Sequence, residues 1–382
     1  MAESLESHQR DIGLDLARGF ACVLMFIAHF PLFDKLDKVT YEINFFGGLA
    51  PAVFFSVTGI LVKQQLSRYR LKSVVVMYAF IFVLGFSYNA TIIPFLTAFN
   101  IMEIFQIIAL GTILVACCEH YLKPDSITYL LIGFALLVAN WIVMVVWPRF
   151  NGFGIVMPTE NYVPHYLLPI EAKPVFPGFP ILPWLYTFFI GCGLYGVKKS
   201  VLVLFVIASP LMLLAIEMLG VDTGWRNKWA MTPGYSLLSI FFMAVVLLIV
   251  RSIPKADSAS LILKNPFNWI LFFGANSLLF LASHLIGVFV ALLFGHAGQY
   301  VAWIVGVVVT YAIMKGLLKL PSWKLLAELK GWYIIASICI FIVMIVPLNK
   351  ALVGPVALIG LVIEILFAKH INYLSALIKG SK

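Results

Sequence analysis

The sequence predicts an all-α protein, a polytopic membrane helix bundle of about 11–12 spans, and three observations predict it. Hydrophobic residues fill 62% of the 382 positions and charged residues only 11%; soluble domains carry about 45–50% and about 25%. The apolar residues gather into runs close to the roughly 20 residues a spanning helix requires. When these runs are threaded alternately from a cytoplasmic N-terminus, 19 of the 26 Lys and Arg fall on the inner side and 7 on the outer, the bias that orients membrane proteins. A soluble enzyme and a disordered or fibrous chain are both excluded.

Taken in order, the first span covers residues 14–33 and carries Asp15, Arg18 and His29. The second, near 47–64, falls in the segment FFGGLAPAVFFSVTGILV (45–62), with small residues that permit close helix approach and two hydroxyls, Ser56 and Thr58, that are packing groups or cavity liners. The third, 72–89, follows a basic turn holding Arg68, Arg70 and Lys72. The fourth, 101–118, opens on Glu103 and Gln106, and the fifth covers 127–147. A long outer segment, 148–180, is rich in Pro, Gly and aromatics and reads as an ordered cap. Lys198-Lys199 divides 181–197 from 200–219; then come 235–251, 268–294 and 301–319. A last pair, 332–348 and 352–368, is separated by the short stretch from Pro347 to Lys350.

No polar linker or repeat divides the chain, so residues 1–382 read as one integral membrane domain. The net charge of +9 comes from basic residues at helix ends, beside anionic headgroups; no nucleic-acid partner is expected. Cys22, Cys117, Cys118, Cys192 and Cys339 lie in or beside spans without a CxxC, so neither a disulfide framework nor a metal site is expected. Asp15 and Arg18 interrupt the first apolar run, so it reads as a retained span rather than a cleaved signal. Both termini are expected in the cytoplasm, the chain in the inner membrane of a prokaryote.

In so apolar a chain the intramembrane ionisable groups are the candidates for function. At 100° per residue Arg18 and His29 lie about 20° apart around one helix, Asp15 within about 60° of both, and Arg18 and His29 about 16 Å apart along the axis. Asp15 with Arg18 also has the spacing of a structural i,i+3 pair, and a lone buried histidine is as often a packing residue as a reactive one. The ninth span repeats the pattern: His284 follows Trp269 by fifteen residues as His29 follows Leu14. Both histidines therefore fall at one depth if each span is a continuous helix. Ser277 shares the face of His284, with Asn276 about 80° away, and both polar residues also suit interhelical glue. Glu103 is either an orienting partner for a histidine or an interface residue. Glu217 and Glu364 have no assigned role.

The segments R-x3-LDLARGFACVLMFIAH, APAVFFSVTGI, MEIFQIIALG, FPILPWLYTFFIGCGLYG and FFGANSLLFLASHLIG follow one another between residues 10 and 294. In this order they resemble the transmembrane acyltransferase superfamily, nearest to bacterial relatives of heparan-α-glucosaminide N-acetyltransferase and more distantly acyltransferase family three. The spans at 301–368 add no motif to the resemblance. Phe280 stands where the family would have a tyrosine, which puts a hydroxyl role there in doubt.

The resemblance implies an acyl-CoA-dependent acyltransferase. It would move an acyl group, most often acetyl from cytoplasmic acetyl-CoA, to a hydroxyl or amine of an envelope sugar or glycolipid at the outer face. His29, His284 and Glu103 would be catalytic; Arg18, Asp15, Asn276 and Ser277 would hold the donor; membrane lipids would surround the chain. Direct attack on the thioester and a covalent acyl-histidine both stay open, as do O- versus N-transfer and oligomeric state, a homodimer included. Trp147, Tyr162, Tyr166 and Trp184 are either sugar-stacking platforms or an interfacial aromatic belt. The other function class is a multi-pass secondary transporter that relays protons through His and Glu, although no matched pair of broken helices is visible in the sequence.

Overall fold

A computed structural model describes residues 11–29, 38–92, 102–146, 179–225, 231–253, 268–295, 298–321, 328–345 and 359–370. Within them the chain forms α1 (Ile12–Ala28), α2 (Lys38–Gly47), α3 (Ala50–Arg68), α4 (Leu71–Ile92), α5 (Ile104–Tyr121), α6 (Ser126–Val146) and α7 (Ile181–Gly196). It continues through α8 (Lys199–Met218), α9 (Pro233–Val250), α10 (Asn268–Ala275), α11 (Ser277–Leu292), α12 (Gln299–Lys319) and α13 (Leu329–Ile345). Residues 359–370 are also helical.

The protein is a polytopic bundle of membrane helices, as its composition requires. Each of the twelve apolar runs contains helix. Among the described residues six helices are long and apolar enough by themselves to cross a membrane, seven if a bent pair counts as one span. The stretch Leu71–Phe86 of α4 and helix α7 are apolar but shorter.

Burial separates the centre of the bundle from its rim. The helical stretch Tyr41–Arg68 is 78% buried within the protein, whereas Lys199–Met218 is only 11% buried. A helix so exposed and so apolar has hydrocarbon as its solvent. Helix α1 is central and packs against α2, α3, α9, α10, α11 and α12. Helix α3 packs against α1, α5, α7 and α9. Its contact with α7 is backbone on backbone: a Cβ on Gly59 would meet the Phe188 carbonyl oxygen at 2.6 Å, so the small residues of this span serve packing.

The ends of α1 define the ends of the bundle. At the His29 end, Asn44 of α2 donates to the Ile27 carbonyl at 2.9 Å, and Tyr235 at the start of α9 donates to the Gly48 carbonyl at 2.6 Å. At the Arg18 end, Asp11 caps α1 by accepting from Leu14 N and also accepts from Tyr195 Oη of α7 at 2.8 Å. Helix α3 therefore starts at the His29 end and finishes at the Arg18 end.

Two features depart from the sequence reading. The segment before the second span is the amphipathic helix α2, which a hydropathy scan reads as loop. The ninth span is not one helix: α10 and α11 meet at a bend of 108°. The bend has local causes. Asn276 leaves the helical region at φ −122, ψ 37, and its Nδ2 donates to the Phe272 carbonyl at 2.9 Å, a local bond that competes with helix continuation. Gly274 lies flat on α1, where a Cβ would collide with the Asp15 carbonyl oxygen, and Gly19 of α1 meets the backbone of Ile270. Gly19 thus faces Ile270 while the earlier Asp15 faces the later Gly274. Helix α10 therefore runs back against the direction of α1, and α11 then climbs beside it.

Candidate functional site

Two clusters lie where α1 meets α10 and α11. The lower one is built on Arg18. Its guanidinium is ion-paired with Asp15 one turn earlier, and Nη1 donates to Ser277 Oγ at 3.5 Å. Asp15 is buried at 3% exposure, and the pair neutralises two charges that the interior would otherwise reject. The Nε of Arg18 is buried with no hydrogen-bond partner among the described residues.

The upper cluster is built on the histidines. His29 caps the C-terminus of α1, and its ring stacks on that of His284 with centroids 5.6 Å apart and 28° between planes. His284 is 1% exposed. Phe280 also stacks on it, at 5.4 Å with 8° between planes, while Phe26 presents an edge at 6.1 Å. The Nδ1 of His284 lies 2.8 Å from the Leu281 carbonyl oxygen. A carbonyl only accepts, so Nδ1 carries the proton and Nε2 keeps its lone pair. Phe280 gives His284 an apolar wall.

The depth match holds, although the fifteen-residue count behind it assumed a continuous helix. Arg18 to His29 spans about 16 Å along α1, and Ser277 to His284 about 10 Å along α11.

A cavity of about 310 Å³ opens at the Arg18 level, at the lower end of the usual range for small-molecule sites. Arg18, Asn276 and Ser277 line it. One stripe of α3 (Phe54, Thr58, Leu61, Gln65 and Tyr69) forms another wall, with Met77, Tyr78 and Ile81 of α4 beside it. Leu318, Ala368 and Lys369 lie at the Arg18 end, and Lys369 Nζ is held there by the Leu320 carbonyl at 2.7 Å. The inner end reaches Leu281 and Ile108. The histidines are not in the lining; His284 starts one turn beyond Leu281. The α11 N-terminus opens into the cavity, and its first N–H groups have no partner within their own helix; the Asn276 side chain does not cap them.

The other candidates fall elsewhere. Glu103 is buried as the N-cap of α5, where its backbone N–H donates to Gln106 Oε1 at 2.7 Å. Thr58 lines the cavity, whereas Ser56 packs under Gly191. Trp184 is wholly buried among Phe55, Phe179 and Tyr235, so it is a core residue, neither a sugar platform nor part of a belt. Trp147, Tyr162, Tyr166 and nearly all of segment 148–180 lie outside the described residues. Glu217 accepts from the Thr223 N–H at 3.1 Å, and both carboxyl oxygens of the buried Glu364 lack a hydrogen-bond partner among the described residues. Among those residues no group of three His, Cys, Asp or Glu is placed to hold a metal ion.

Sequence reasoning passed over Gln65, Tyr69, Tyr78 and Lys369. A signal existed: positions 54, 58, 61, 65 and 69 repeat at helical spacing and mix polar with apolar residues. Comparison of the chain with protein-family models, with curated proteins and with solved structures gives no match.

Proposed function

We propose that the protein is a membrane-embedded acyltransferase that moves an acyl group, acetyl by preference, from acyl-CoA to a hydroxyl or amine presented at the opposite face of the membrane. The observation that carries this reading is the stacked pair of His29 and His284 one helical turn beyond a cavity that Arg18 lines. Such a cavity offers a donor arm the cationic groups of Arg18 and Lys369 in its lining and a basic nitrogen one turn past Leu281.

The chemistry needs only direct transfer. The acceptor O–H or N–H gives its proton to His284 Nε2 as its heteroatom attacks the thioester carbonyl. The new C–O or C–N bond forms, the C–S bond breaks, and the departing thiolate takes the proton from the imidazolium. A positioned general base of this kind contributes about 10²–10⁴-fold. The stacked His29 ring faces the charge that develops on its neighbour. On this reading the Arg18 end faces the cytoplasm, the His29 end faces outward, and the acceptor is an envelope sugar or glycolipid.

A second reading, a secondary transporter, has one observation in its favour: the broken span α10–α11 at the centre of the bundle, a device transporters use at substrate sites. The described residues contain one such break rather than a symmetric pair. Labelled acetyl-CoA added to membranes bearing the protein separates the two. Saturable binding, with label appearing in an envelope acceptor, supports the enzyme. Absence of binding together with solute uptake into liposomes free of acyl-CoA supports the transporter.

A further inference from the structure

The cavity is not balanced in charge. Its described lining holds two cations, Arg18 and Lys369, and no carboxylate. Arg18 is already matched by Asp15, one turn earlier on α1. Lys369 is not matched. Its ammonium carries three N–H donors, and two go to the Leu320 carbonyl at 2.7 Å and the Pro321 carbonyl at 3.2 Å. Both acceptors are neutral, and no carboxylate among the described residues pairs with the ammonium. These carbonyls end α12, so the bonds cap that helix while they fix the ammonium at one place on the cavity wall. The bonds are exposed rather than buried, so a solute in the cavity reaches the head of the side chain. The third donor has no partner among the described residues. An unmatched cation in a cleft with low-dielectric walls draws an anion.

We infer that Lys369 is a phosphate-binding residue of the donor site, giving its third N–H and its unmatched charge to a phosphate at the tail of the thioester arm. The inference rests on the acyl-donor reading above and narrows it to donors that carry a phosphate. The order along the cavity supports the assignment. Lys369 and Leu318 lie at the Arg18 end, Leu281 lies at the inner end, and His284 follows one turn later. A thioester placed at the histidines therefore points the tail of its arm back towards Lys369, and acyl-CoA carries its phosphates at that tail. Charge divides the work of the two cations. Arg18, neutralised by Asp15, suits uncharged acceptors in the arm, whereas Lys369 suits the phosphate. Lys369 lies beyond the segments that carry the family resemblance, which end by residue 294, so the helix at 359–370 completes the donor site.

The test is equilibrium binding to the full chain in nanodiscs of two labelled ligands, acetyl-CoA and S-acetylpantetheine, which has the same thioester arm and no phosphate. The wild type should bind acetyl-CoA at least about tenfold more tightly than S-acetylpantetheine. Equal affinities overturn the inference, and this comparison needs no variant to fold. Lys369→Gln keeps an N–H for the Leu320 carbonyl and removes the charge. It should bind acetyl-CoA about 10–100-fold more weakly, the range for a hydrogen bond to a charged group, and bind S-acetylpantetheine as the wild type does. Its affinity for acetyl-CoA should also fall less steeply with salt, since one screened charge is gone. Wild-type affinity and salt dependence in Lys369→Gln overturn the inference. So does a variant that weakens both ligands by the same factor at wild-type salt dependence, the mark of a helix cap and nothing more. If the wild type fails to bind acetyl-CoA at all, the acyl-donor reading falls and takes this inference with it; acetyl-CoA binding that ignores Lys369 removes this inference alone.

Discussion

Helix α1 and the α10–α11 pair lie side by side and carry the same kinds of group, yet they position them in opposite ways. Helix α1 is one unbroken helix, and periodicity alone places Asp15, Arg18 and His29 on a shared face. The partner segment reaches the same two levels by breaking. Its first half runs back along α1, the chain bends through 108° at Asn276, and only then does α11 bring Ser277 to Arg18 and His284 to His29. A continuous helix there would fill the space with side chains. The break instead leaves a helix N-terminus and polar groups open to a cavity beside a straight rail. One helix supplies register and the other supplies space.

The comparison can be broken at four points. The largest effect belongs to the histidines. His29→Ala and His284→Ala should each lower acyl transfer by about 10²–10⁴-fold while detergent-purified protein stays monodisperse. Full activity in either would remove that ring from the chemistry. Next is the contact between the halves. Gly274→Val places a side chain on the Asp15 backbone and should cost about 3 kcal/mol or more, seen as a lowered melting temperature. Gly316→Ala, where nothing lies within 4 Å, should leave melting unchanged. If Gly274→Val melts like the wild type, the close approach of α10 to α1 is wrong.

Arg18 comes third. Arg18→Met strands the Asp15 carboxylate and removes one of the two cations, with Lys369, of the described cavity lining. Binding of acetyl-CoA should fall about 10–100-fold, the range for a hydrogen bond to a charged group; unaltered affinity would separate Arg18 from the donor. The smallest effect is expected for Ser277→Ala. Its bond to Arg18 is 3.5 Å long, at the weak limit for a hydrogen bond, so a change below about threefold is expected in the same binding measurement. A loss as large as that of Arg18→Met would make Ser277 a principal contact.

Much of this arrangement was legible in the sequence, for definite reasons. Spans are set by length and hydropathy, and each apolar run contains helix. The facing of Arg18 and His29 follows from the 3.6-residue repeat, which α1 obeys. The fifteen-residue match between the two histidine segments gave the right depth by a wrong route: α10 runs backward, so only the seven residues from Ser277 to His284 measure depth on α11. Hydropathy could not show the break, because Asn276 is one polar residue in an apolar run. It comes from the local bond of Asn276 to the Phe272 carbonyl together with the tertiary close approach at Gly274 and Gly19. Helix α2 escaped because it is short and polar, and Gln65 because a polar residue near a helix end reads as interfacial until its neighbours are placed.

The central claim is that an acyl donor occupies the cavity with its thioester at the histidine pair. A cryo-EM map of the full chain with saturating acetyl-CoA tests it directly. The account predicts ligand density running from Lys369 past Gln65 and Arg18, with the acetyl group at the stacked rings of His29 and His284. Density that binds elsewhere on the bundle, or a cavity without ligand at saturation, would contradict it.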